Sequence, residues 1–109
     1  VDYITICDEL WARIVKQKAG NQCEYCGGYS FLQAHHIIPR TYWSTRYLIP
    51  NGVCLCSDHH IPFAHNQEER FKNFIKDIRD MDFLISKKHS TEKLDFQKIY
   101  EFLLSELQR

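Results

Sequence analysis

Four side chains of metal-binding type stand in two pairs with the same internal gap, Cys23-x-x-Cys26 in "CEYC" and Cys56-x-x-His59 in "CSDH". Thiolates two residues apart can close on one tetrahedral ion, and the second pair supplies the remaining corners of a Cys3His set. A single domain of 109 residues has room for one modest core, so a structural zinc would supply much of its folding free energy. A redox pair or two buried thiols would share the first spacing. A redox pair, however, opens a helix in a βαβ setting, and here Gly27 and Gly28 follow. Cys54 competes with Cys56, but its gap to His59 is wider, and it is read as a small buried hydrophobe. Cys7 falls on the apolar face of the first helix. Five cysteines, an odd number with no export signal ahead of them, argue against a disulfide framework.

The chain divides into three stretches of one domain, 1–20, 21–65 and 66–109. In the first, Cys7, Leu10, Trp11, Ile14 and Val15 recur at helical spacing, with Thr5 and Asp8 as a capping box and Gly20 as the stop. Residues 22–38 read as a knuckle followed by strands, with Gly27-Gly28 at the tight turn. Residues 39–53 read as a loop, bounded by Pro39 and by "PNG". The last stretch is helical. Asn66 and Glu69 cap a helix whose apolar stripe is Phe71, Phe74, Ile75 and Ile78. Asp95 caps a final one with Phe96, Ile99, Tyr100, Leu103, Leu104 and Leu107 on one face; "MDFLISKKHST" between them is ambiguous. The fold class is therefore α+β.

Lysines and arginines number 14, as do the carboxylates, so no global basic field points to nucleic acid. Locally the balance differs. No carboxylate lies between Glu24 and Asp58, while Arg40 and Arg46 stand among Tyr29, Tyr42, Trp43 and Tyr47. That segment reads either as a phosphate-facing surface or as a solvated loop with a few packed aromatics. No apolar run approaches membrane-spanning length, and the start of the chain lacks the layout of a signal peptide. The expectation is a soluble, cytoplasmic protein with no membrane partner.

Once the Cys3His set is assigned, the histidines at 35, 36, 60, 65 and 89 are left over. A zinc clamping Cys23 and Cys26 to Cys56 and His59 would also draw His35-His36 towards His60. On an extended segment His35 and His36 point to opposite faces. One of them with His60 can form a second, open cation site, and the other stays free as a base. Pro62, two residues after His60, fits only the first turn of a helix, so any helix carrying His60 must begin late or be short. His65 is not at i,i+4 from His60 and reads as a phosphate or supporting contact.

These residues resemble the HNH endonucleases of the ββα-metal (His-Me finger) class, in particular small phage-type members with a zinc knuckle. The likeness lies in Leu10-Trp11, Ile14-Val15, "CEYCGG", "AHHIIPR", "NGVCLC" and "DHH", over roughly residues 10–65. It implies a ββα-metal core with a structural zinc knuckle, flanked by an N-terminal helix and C-terminal helices. It implies that His35 and His60 ligate a catalytic divalent cation (Mg2+, Mn2+, Ni2+ or Zn2+), that His36 is the general base, and that Asn51 orients the base and steadies the loop. The activity implied is metal-dependent hydrolysis of DNA phosphodiester bonds, with 5′-phosphate and 3′-hydroxyl products; Arg40 and Arg46, from the locally positive segment, would then contact the phosphates. The helical half is a candidate for dimerisation, and phage packaging proteins are candidate partners. The rival reading is a non-catalytic zinc module that binds nucleic acid or protein.

Overall fold

A computed structural model describes the main chain of residues 1–109 and every side chain except those of residues 61–63. Helix α1 runs Tyr3–Lys18. Its N-cap is Asp2, which accepts from the Thr5 amide at 3.1 Å and the Thr5 hydroxyl at 2.6 Å, rather than the expected Thr5–Asp8 box. The cap therefore lies outside that pair, and Asp8 is free to face another element. The helix stops where Gly20, at φ 70°, takes the left-handed conformation that glycine adopts without a Cβ penalty.

Two strands follow, β1 (Gln33–His36) and β2 (Gly52–Leu55), paired antiparallel with His35 opposite Val53 and His36 opposite Gly52. Segment 22–38 thus holds one strand rather than several, and its partner starts inside the stretch expected to be loop. Between the strands, that stretch folds into the single-turn helix α2 (Trp43–Arg46) and a 3-10 turn (Ile49–Asn51). After β2 come α3 (Ser57–His59), a π-helical segment (His60–His65), α4 (Glu68–Ile78), α5 (Met81–Lys88) and α6 (Phe96–Leu107). Asp95 caps α6 as expected and Asp80 caps α5, whereas the N-cap of α4 is Gln67, with no side-chain capping bond, and not Asn66. Among the described residues no helix is long and apolar enough to cross a membrane.

The small sheet is covered on both faces, and strand alternation decides what lies where. Cys54 and Ala34 turn towards α1, where Cys7, Leu10, Trp11, Ile14 and Val15 pack with Leu103 of α6. Val53 and Leu55 turn the other way, onto Phe71 and Ile75 of α4 together with Cys23 and Cys56. Arg79, just past α4, ties the layers together. It donates to the Glu24 carboxylate at 2.8 and 3.1 Å and to the Gly52 carbonyl at 2.9 Å, while Glu24 also accepts from the Cys54 amide at 2.8 Å.

Gly52 has an ordinary extended backbone, with φ −107°. What demands glycine there is proximity: a Cβ would stand 2.8 Å from Trp11 Cζ2 and would also collide with the Val15 side chain. Helix α1 rests on the bare backbone of β2. Gly52→Ala should therefore destabilise the protein by about 1–3 kcal/mol through overpacking. Urea unfolding of the zinc-loaded protein measures this, and a midpoint equal to wild type would refute the close approach.

Candidate metal centres

Knuckle residues 23–28 are shaped by backbone bonds. The Cys23 amide donates to the Gly28 carbonyl and the Gly27 amide to the Cys23 carbonyl, each at 2.8 Å, with Gly27 at φ 75°. The turn brings both thiols to one side, and α3 presents Cys56 at its N-cap and His59 as its last residue to them. Ligand atoms of Cys23, Cys26, Cys56 and His59 all lie within 4.8 Å of one another. Cys26 Sγ to Cys56 Sγ is 3.7 Å, Cys23 Sγ to His59 Nδ1 is 3.8 Å, and Cys56 Sγ to His59 Nδ1 is 3.2 Å. With Zn–S of about 2.3 Å and Zn–N of about 2.0 Å, a tetrahedral ion requires S···S edges of about 3.8 Å and S···N edges of about 3.5 Å. The four side chains fit a zinc ion. Burial raises the Cys23 thiol, but hydrogen bonds from the amides of Cys26, Cys56 and Tyr25 outweigh it and hold the pKa below its ordinary value. Cys54 stands apart, fully buried, with its thiol pushed up to about 11 by burial and then by the Glu24 charge. Such a thiol is inert.

A second cluster lies on the α4 side of the sheet. Ligand atoms of His35, His60 and His65 also fall within 4.8 Å of one another. Their rings meet pairwise at 5.0–5.2 Å between centroids and at 70–86° between planes. The expected pair His35 and His60 is present, and His65, expected only as a phosphate or supporting contact because it is not at i,i+4 from His60, joins it as a third potential ligand. The backbone there is a π-helix, which closes i→i+5 and stacks residues five apart. Pro62 was the available signal: a proline inside a helix removes a backbone donor, which disfavours regular α continuation from His60. Burial, then the neighbouring His60, His65 and His36, lower the His35 pKa to about 4. Burial and then His65 also lower that of His60. Both imidazoles are neutral near pH 7, the form that ligates a cation.

His36 points to the opposite face, as alternation requires, and stacks on Trp11 with centroids 3.9 Å apart and planes at 11°. Its Nε2 is 3.0 Å from the Arg46 carbonyl. A carbonyl only accepts, so Nε2 carries the proton and the lone pair is on Nδ1. Burial lowers the His36 pKa, opposed by this hydrogen bond and by the Asp8 charge. Both histidines nevertheless border one cavity of about 910 Å³, together with His60, His65, Arg40, Lys72 and Lys76.

Asn51 is fully buried. Its Oδ1 accepts from the Ile38 amide at 2.8 Å, and its Nδ2 donates to the carbonyls of Ile38 and Thr45 at 3.0 and 3.1 Å. It ties the loop that carries Arg46, and so bears on His36 through that loop.

Arg46 departs from its expected role on phosphates. Its side chain is 9% exposed and forked onto Asp8, Nε to Oδ1 at 3.0 Å and Nη2 to Oδ2 at 2.7 Å, with the guanidinium 4.4 Å above the Trp43 ring. A cation already neutralised and buried in this way is not available to a ligand. Arg40 is exposed at the cavity. Comparison of the chain with protein-family models, with curated proteins and with solved structures finds no match.

About one zinc per chain should survive extensive dialysis, and Cys56→Ser should lose it together with a large part of the thermal stability. An unchanged melting temperature in that variant would remove the structural role. A second outcome concerns pH. His35 titrates in the fold at about 4 against an ordinary 6.5, so its contribution to stability is complete above pH 6.5 and is lost as pH falls through 4. Wild type minus His35→Gln, followed by urea unfolding without added second metal, should slope by up to about 1.4 kcal/mol per pH unit in that window. A flat difference would contradict the burial of a neutral His35.

Proposed function

We propose that this chain is a metal-dependent endonuclease of the HNH type, hydrolysing DNA phosphodiester bonds, with His36 as the general base. The observation that carries this reading is the juxtaposition of His36, with its lone pair on Nδ1, and the His35–His60–His65 set on a single cavity. A non-catalytic zinc module accounts for the Cys3His set alone and leaves this second arrangement without a purpose.

In the proposed reaction, Nδ1 of His36 takes a proton from a water aligned with the scissile phosphorus. Transfer leaves an imidazolium whose Nε2–H still donates to the Arg46 carbonyl, so the ring need not turn. The water oxygen bonds to phosphorus as the P–O3′ bond breaks, and the departing 3′ oxygen takes a proton from solvent water. His35, His60 and His65 would hold a divalent cation, whose positive charge would stabilise the phosphate and leaving oxygens. Three imidazoles favour borderline cations such as Zn2+, Ni2+ or Mn2+ over Mg2+. Arg40, Lys72 and Lys76 line the same cavity and would supply cations to a phosphate backbone, positioning it without reading its sequence.

Supercoiled plasmid with Mn2+ or Ni2+ should be nicked by the wild-type protein, and His36→Ala should cut slower by about 10² or more, with zinc retained. His65→Ala, like His60→Ala, should weaken binding of the second metal. Arg40→Ala should shallow the salt dependence of DNA binding by about one unit of slope. A wild-type protein that binds the second cation but cleaves nothing would leave the zinc module as the reading.

A further inference from the structure

Two residues one turn apart on α1 reach the same imidazole by different routes. Trp11 lies flat against the His36 ring, and its own plane is held by an indole N–H donated to the Leu48 carbonyl at 2.8 Å. Asp8 grips the Arg46 guanidinium through both carboxylate oxygens. The main-chain carbonyl of that same arginine accepts from His36 Nε2. Arg46 is thus anchored to α1 by its side chain while its backbone reads the tautomer of His36.

We propose that Asp8 and Trp11 are positioning residues: helix α1 sets the ring plane of His36 through the Trp11 stack and its tautomer through the Asp8–Arg46 ion pair. The catalytic consequence rests on the hydrolase reading, whereas the effect on the imidazole does not. Arg46 is buried more deeply than its partner, at 9% against 30% side-chain exposure. Neutralising Asp8 leaves a guanidinium that has lost its counter-charge away from water, an arrangement that is strongly disfavoured. The short helix α2, of which Arg46 is the last residue, must then shift to let the cation reach solvent, and its carbonyl moves with it. Without that acceptor the ring is untied and a neutral imidazole keeps only its weak intrinsic preference for Nε2–H, so it spends part of its time with Nδ1 protonated. In that form it cannot accept a proton at Nδ1.

The deciding measurement is the pair of imidazole nitrogen NMR shifts of His36 in the full, zinc-loaded chain. Wild type should show a protonated Nε2 and an unprotonated Nδ1. Asp8→Asn, isosteric and at a partly exposed position, should show both shifts moving towards an average, and Asp8→Glu should restore the separation. In plasmid cleavage Asp8→Asn should lower kcat about tenfold or more with KM unchanged, and Mn2+ affinity should stay within about twofold of wild type. Should Asp8→Asn fail to fold, Arg46→Lys, which keeps the charge and loses the fork, replaces it and should show the same averaging. Unchanged nitrogen shifts in the folded variant overturn the proposal whatever the rates. A wild-type protein that cuts no DNA counts against the hydrolase reading alone, because the shifts then still decide the positioning.

Discussion

Convergence of Cys23 and Cys26 with Cys56 and His59 is the constraint on which the remaining structure hangs. A two-stranded sheet is marginal on its own, and the partners here, Gln33–His36 and Gly52–Leu55, are separated by a long connection whose closure costs entropy. The four ligand side chains sit at the far end of that sheet, just before β1 and just after β2. Drawing them together places the two strands in register and starts α3 at a defined point. The π-helical segment after α3 then carries His60 and His65 to His35. The geometry of the second cluster is in this sense downstream of the first.

Helix α1 plays a comparable part on the opposite face. Gly52 lets it lie directly on β2, which brings Trp11 against His36 and Asp8 against Arg46. Two clusters of potential ligands and His36 are thereby arranged around a sheet of two short strands, with α1 beneath His36 and α4 beneath His35. Each neighbouring histidine owes its surroundings to the single fact that successive side chains of a strand face opposite ways. His35 and His36 nevertheless line one cavity, so groups from both faces of β1 reach it.

What could be read in advance was whatever depends on local spacing. The Cys3His set followed from two equal gaps, the α1 and α6 stripes from helical periodicity, and the Asp95 cap from its place before an apolar run. Structure departs from local pattern where a residue has two local uses and a distant partner chooses between them. Asp8 reads as half of a capping box, but Arg46 claims it across the fold. Arg46 in turn reads as a free cation in a segment without carboxylates, because its counter-ion lies in α1. Residues 39–53 were expected to be loop, since no local pattern announces a strand whose partner lies across a long connection.

Residue type and local spacing specify the chemistry: which side chains can ligate, that His35 and His36 must part ways, and that the thiols divide into a cluster and two buried bystanders. Tertiary structure alone decided the roles within that chemistry. It brought His65 into the second set through a π-helical backbone, withdrew Arg46 from any ligand by burial against Asp8, and selected the His36 tautomer by a carbonyl from another element. The physical reason is common to all three. Ligand type and strand parity are properties of neighbours in the chain, whereas burial, counter-charge and hydrogen-bond direction are set by whatever the fold brings close.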